Sequence, residues 1–264
     1  MLTELGLSRL WHDDPERTWI VGRPLVSALL GIVAPSYGYG VERVPVEGAA
    51  VVAANHFSTL DPMLVGIYSR RTIYYMAKIE LLDVPVAGEI LRWMGAFAVR
   101  RGEGDRDALR VARWVLQQGH VVGMFMEGTR QKLGYPGPGQ PGAAMLAIQE
   151  GVPLVPCGID TFQWSIRNPR RCALVWGEPI DLTGLPRTGR GYKQGAAIVE
   201  AEIIRLWRLG AAAIAVGFPS ELSDGTKRDR AVRPWSSVRL RGAQPWPDEP
   251  WAEGPLGPVY RANR

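Results

Sequence analysis

Residues 50–54, Ala-Val-Val-Ala-Ala, form a continuous run of small apolar side chains with no helical stripe. Such a run predicts a short strand buried on both faces. It stops at Asn55-His56, and Pro62 six residues later suits the first turn of a helix, where its missing N–H costs nothing. The same grammar recurs along the chain. Residues 72–77 and 96–99 read as strands, as do 121–125, 154–158 and 173–176. Between them lie helical stretches at 63–68, 87–94, 105–118 and 143–150, with an amphipathic helix at 192–209 whose apolar side holds Ile198, Val199, Ile203, Leu206 and Trp207. Strands separated by helices predict an α/β fold, a mostly parallel sheet flanked by helices.

The ends of the chain follow other patterns. Residues 1–17 are polar and read as an arm, and residues 18–35 as an apolar helix. Its core, Leu-Val-Ser-Ala-Leu-Leu-Gly-Ile-Val-Ala at 25–34, is too short for a span of about 20 apolar residues. It suits either a core helix or one lying in a membrane interface. Residues 37–48 alternate as a strand would, with turn residues between. From Pro219 onward Pro, Gly, Trp and charge occur without periodicity, and an irregular tail is expected. The division is therefore an N-terminal arm and apolar helix (1–35), an α/β domain (36–210) and a Pro/Trp-rich tail (211–264). No secretory signal peptide is evident, because acids precede the first apolar run.

Composition narrows the partners. The 264 residues are 46% hydrophobic and 22% charged, with a formal net charge of +5 and a pI near 9.4. That balance suits an anionic partner: a phosphate ligand, an acidic membrane surface or nucleic acid. Nucleic acid is not expected, since the tail arginines are interspersed with acids and no helix-turn-helix, zinc or stacking-sheet signature is present. Cys157 and Cys172 stand in unrelated contexts and predict buried, reduced thiols. His12 and His120 share no motif with His56, so no metal site is expected.

The chemistry gathers at strand ends. His56 follows the first buried strand and Asp61 follows it by five residues. On one helix such residues would stand about 140° apart, so they meet only across a strand-to-helix turn. A carboxylate on one ring nitrogen fixes the tautomer and leaves the other nitrogen free to take a proton; the same pair also serves as a structural cap. Arg100 and Arg101 follow a second strand, and Glu127-Gly128-Thr129-Arg130 a third. Arginine suits phosphate through its planar fork, whereas a solvated basic edge and a loop ion pair are the plainer readings of these residues. No Gly-x-Ser-x-Gly elbow surrounds Ser58 or Thr59.

Four blocks, in order, resemble the glycerolipid acyltransferases of the 1-acylglycerol-3-phosphate type. NHFSTLDP (55–62) is similar to that family's NHxxxxD block, and KIELLDVPVAGEILRWMGAFAVRR (78–101) to its second. FMEGTR (125–130) resembles its FPEGTR block with Met126 in place of Pro, and GVPLVPCGI (151–159) its last, centred on Pro156. Residues 131–134, QKLG, depart from the commoner Ser-Arg continuation, which with Met126 bears on acceptor preference. The likeness spans about 37–209.

The resemblance implies transfer of a fatty acyl group from acyl-CoA or an acyl carrier protein to the free hydroxyl of a lysophospholipid. His56 would be the general base and Asp61 its orienting carboxylate. Lys78, Arg101 and Arg130 would hold the acceptor's phosphate, with Glu127, Gly128 and Thr129 shaping that loop. No cofactor beyond the thioester co-substrate is implied. Peripheral or monotopic attachment to the cytoplasmic face of the cell membrane is expected. The alternatives are the same chemistry on another hydroxyl, such as a glycolipid or polyketide alcohol, and a non-catalytic lipid-binding relative. The second predicts loss of His56 or Asp61, and both are present.

Overall fold

In the computed structural model, residues 15–78, 96–99 and 105–229 are described. The chain opens with helix α1 (Pro15–Val33), β1 (Ser36–Tyr39) and a 3-10 turn (Val41–Arg43). Then come β2 (Ala50–Ala54), α2 (Asp61–Ile67), β3 (Ile73–Lys78), β4 (Ala96–Val99), α3 (Asp105–Gln117) and β5 (Val121–Phe125). Last are α4 (Gly142–Glu150), β6 (Leu154–Asp160), β7 (Cys172–Trp176) and α5 (Gly189–Ala215). The expected helix at 87–94 and residues Arg100 and Arg101 lie outside the described residues.

The strands form one sheet in the order β1-β7-β6-β2-β5-β3-β4. β6, β2, β5, β3 and β4 run parallel, as the alternation of strands and helices predicts. β7 is antiparallel to β6, and β1 pairs parallel with β7. That reversal has a plain cause: only residues 161–171 join β6 to β7, too few for the helical crossover that a parallel pair needs.

β2 lies between β5 and β6, and all five of its residues are buried. Its period of two divides the core. Ala50, Val52 and Ala54 face a layer with Leu30 of α1, Ala34 just after it, and Leu64, Val65 and Ile67 of α2. Val51 and Ala53 face α3, α4 and α5 through Val111, Val115, Leu146, Ile148, Val199 and Ile203. A run apolar at every position is what two covered faces require.

Several elements differ in extent from expectation, and α1 already begins at Pro15, within the stretch expected to be an arm. β1 covers only the start of residues 37–48, because Gly40 at φ 72° turns the chain into the 3-10 segment. β6 extends to Asp160. α5, capped by the Thr188 hydroxyl accepting from Gly191 N–H, is 27 residues long and continues past Leu209 to Ala215. Its last turns, Gly-Ala-Ala-Ala-Ile-Ala, are too uniformly small to show a stripe, yet Gly210 and Ala213 are buried. Gly158 of β6 leaves room for the α5 backbone at Leu206 and Trp207. No helix among the described residues is long and apolar enough to cross a membrane.

Candidate active site

β2 ends at Ala54, but its pairing with β6 goes one residue further through a side chain. The Asn55 amide donates to Ile159 O (2.8 Å) and its oxygen accepts from Ile159 N–H (2.8 Å). The strand direction is thus held to the point where the chain turns, and His56 emerges at the carboxyl end of the central strand. Ligand sites in open α/β sheets gather at this edge.

Asp61, the first residue of α2, is fully buried. Its Oδ2 accepts from His56 Nδ1 at 2.7 Å, Phe57 N–H at 2.7 Å and Ser58 N–H at 2.9 Å. Its Oδ1 accepts from the Ser58 hydroxyl at 3.1 Å and from the Thr161 hydroxyl. A buried carboxylate is tolerable when its lone pairs are filled this way. Because Oδ2 is an acceptor only, the proton between it and the ring resides on Nδ1, and Nε2 of the neutral imidazole is the basic nitrogen. The His56 side chain is 18% exposed, and its ring stacks on Phe125 at 4.1 Å and 16°. Tyr75 also stacks on Phe125, at 5.7 Å and 14°. The imidazole is therefore fixed in plane as well as in tautomer.

Residues 126–130 leave β5 beside His56. Met126 N–H donates to Ala54 O (2.9 Å), and Gln131 N–H to His56 O (2.7 Å). Gly128 takes φ +66°, a conformation glycine adopts without strain, and Gly128, Thr129 and Arg130 are exposed. Met126 is buried against Gly139, in the Gly/Pro-rich loop between β5 and α4, whose N–H donates to Glu200 of α5 at 2.7 Å. Glu127 is only 7% exposed, and neither carboxyl oxygen has a hydrogen-bond partner among the described residues. Burial pushes its carboxyl up to about 7, only partly offset by its own backbone amide and those of His56 and Gly137 nearby, and the Asp61 charge adds to the rise.

Of the residues singled out by sequence, His56 and Asp61 meet directly, and Glu127, Gly128, Thr129 and Arg130 pass alongside in one turn. Lys78 is the last residue of β3, where it pairs with Val99, and Arg101 lies outside the described residues. The sequence reading missed Thr161, Asn55 and Phe125. Thr161 had a usable signal, since it is a polar residue directly after the apolar run of β6, at the same edge as His56. Cys157 and Cys172 are free and buried; burial raises both thiols, Cys172 to about 12.

Comparison with known proteins gives a consistent picture. Residues 38–160 match the family model described as Acyltransferase. The chain is 28% identical over 158 residues to 1-acyl-sn-glycerol-3-phosphate acyltransferase of Bacillus subtilis (strain 168), covering 58% of this chain and 78% of that protein. It is 30% identical over 172 residues to 1-acyl-sn-glycerol-3-phosphate acyltransferase alpha of Mus musculus, covering 56% of this chain and 58% of that one. It spans about half the length of the Borreliella burgdorferi relative. In fold it is similar to the 1-acyl-sn-glycerophosphate (LPA) acyltransferase PlsC of Thermotoga maritima, with a TM-score of 0.58 and 24% identity over 70% of this chain and 77% of that one.

Proposed function

We propose, because residues 38–160 match the family model described as Acyltransferase, that the protein moves a fatty acyl group from an acyl thioester to the free hydroxyl of a lysophospholipid. The preferred acceptor in this reading is 1-acylglycerol-3-phosphate, the substrate after which the Bacillus and mouse relatives are named. The observation that carries it is the His56–Asp61 contact, a general base whose tautomer is fixed by a fully buried carboxylate.

The steps follow from that geometry. Nε2 of His56 takes the proton of the acceptor hydroxyl as its oxygen adds to the thioester carbonyl carbon. Asp61 keeps Nδ1–H oriented and stabilises the imidazolium that forms. Collapse of the tetrahedral intermediate breaks the C–S bond, and the imidazolium returns the proton to the departing sulfur, giving ester and free thiol. General-base help supplies roughly 10²–10⁴-fold; positioning of the two substrates supplies a further large share. Arg130, beside His56 in the chain's turn, binds the acceptor phosphate together with Lys78 and Arg101 in this reading. Thr129 and Gly128 shape the loop, with Glu127 buried behind it.

Acyl-CoA or an acyl carrier protein is the donor, and no resident cofactor is needed. The acceptor is an amphiphile delivered from a bilayer, and α1 offers a matching surface: Leu25 (75% exposed), Leu29 (61%) and Ile32 (78%) recur at helical spacing on it. We place the protein at the cytoplasmic face of the cell membrane, attached by one leaflet.

Thiol release from a long-chain acyl-CoA by purified protein, with and without lysophosphatidic acid, tests the proposal. Acceptor-dependent release that yields phosphatidic acid and is lost in His56→Ala is the expected result. Transfer that persists in His56→Ala overturns the mechanism, and absence of transfer both from acyl-CoA and from an acyl carrier protein donor run in parallel overturns the function.

A further inference from the structure

Two loops leave the catalytic edge of the sheet with features the reaction does not use. Residues 131–135 follow Arg130 and expose Leu133 (72%) and Tyr135 (53%), with the exposed Lys132 beside them. Residues 161–171 follow β6 and fold back through a bridge between Ser165 and Asn168. The tip of this second loop is Ile166, 77% exposed, and Arg167, Arg170 and Arg171 are exposed around it. Neither loop contains Asp or Glu.

The loops form one rim. Gly134 of the first lies so close to the Phe162 ring of the second that an added Cβ would stand 2.9 Å from it. The Trp164 indole N–H donates to Val33 O at 2.9 Å, tying the second loop to the end of α1. β1 runs against the central strands, so the end of α1 and its exposed Ile32 belong to the same edge of the sheet.

Both loops begin next to the catalytic pair: Gln131 N–H donates to His56 O, and the Thr161 hydroxyl to Asp61.

We propose that residues 132–135 and 165–171 dock the mouth of the site onto an anionic lipid bilayer. Large apolar side chains standing in water among cations, with no acid between them, match the headgroup boundary of such a bilayer. The apolar groups enter the acyl edge and the cations meet the lipid phosphates. An acidic polymer would satisfy the arginines and leave Leu133, Tyr135 and Ile166 wet. The proposal deepens the reading of a lipid acceptor and rests on it. Docking would place His56 over the leaflet, so that the acceptor hydroxyl reaches Nε2 while its acyl chain stays in the bilayer.

Flotation of the full chain with two kinds of vesicle tests this, one of phosphatidylcholine alone and one of equal parts phosphatidylcholine and phosphatidylglycerol. The wild type is expected to float with the anionic vesicles and far less with the neutral ones. The double variant Arg167→Gln, Arg170→Gln should bind the anionic vesicles about thirtyfold more weakly, at the usual gain per basic residue near such a surface. Leu133→Asn with Ile166→Asn should also float less. Turnover of a water-soluble short-chain acceptor by the arginine variant should stay at the wild-type value.

Equal flotation on both vesicles, or wild-type flotation by both variants, overturns the proposal. So does a dimer in solution that the variants abolish while flotation is unchanged, which would assign the rim to a second copy. Flotation needs no turnover, so a protein that floats as expected but transfers nothing refutes the acyltransferase reading alone.

Discussion

Asp61 carries two burdens, one structural and one chemical, and two substitutions separate them. In Asp61→Asn the amide oxygen can occupy the place of Oδ2 and keep the three N–H donors of His56, Phe57 and Ser58. The amide nitrogen then faces the hydroxyls of Ser58 and Thr161. Both hydroxyls can rotate to accept, since each has lone pairs to spare. The bonds survive and only the charge is lost. Charge-assisted bonds are worth roughly 1 kcal/mol more than neutral ones, and relief of a buried charge offsets part of that. The expected change in stability is about 1–2 kcal/mol.

Asp61→Ala instead leaves the buried N–H groups of Phe57 and Ser58 without an acceptor, at about 1–3 kcal/mol each. Summed, that is about 2–6 kcal/mol, or a fall in Tm of roughly 5–20 °C for a protein of this size. Activity divides differently. An amide cannot stabilise the imidazolium, so both variants lose about 10²–10⁴ in kcat/KM. Initial rates of acceptor-dependent thiol release, set beside thermal unfolding, measure the two axes. If Asp61→Asn keeps more than about a tenth of wild-type kcat/KM, the carboxylate's charge is not used and the general-base reasoning is wrong. If it unfolds as early as Asp61→Ala, the hydrogen-bond accounting is wrong.

Two further substitutions test the packing around the site. Glu127 holds its proton more tightly folded than unfolded, from 4.5 up to about 7; stability is therefore greatest below about pH 4.5, falls between there and about pH 7, and stays reduced above. The loss is about 3 kcal/mol at 1.36 kcal/mol per unit, so in urea unfolding Glu127→Gln should exceed wild type by up to that amount at pH 8 and show no such gain at pH 4; equal stabilities at pH 8 would refute it. Gly158→Ala drives a methyl into the α5 backbone at Trp207, and should cost about 1–3 kcal/mol as a lowered Tm, whereas an unchanged Tm would mean that α5 is free to slide.

How much of this fold could be read from the chain depends on whether the information was local. The buried strand β2 was legible because two covered faces demand an apolar residue at every position, and residues 50–54 supply nothing else. The parallel core followed from strands spaced by helices. The direction of β7 was less evident, although the eleven residues before it contain no helix and so forbid a parallel crossover. The last two turns of α5 were hidden for another reason. Residues 210–215 are nearly all small, so a helix packed on Tyr39, Val175 and Leu222 leaves no polar-apolar stripe to count.

The site shows the same division. His56 and Asp61 are five residues apart, and their meeting could be inferred from a single strand-turn-helix passage. The groups that make the pair rigid come from elsewhere: Ile159 pairs with Asn55 across 104 positions, and Thr161 reaches Asp61 across 100. Gln131 and Phe125 hold the backbone and ring of His56 from the neighbouring strand's end. A motif therefore states which groups react, while the sheet order β6-β2-β5 determines which residues hold them. Once that order is known, the rule that found His56 also finds Thr161: a polar residue directly following a buried strand, at the carboxyl edge.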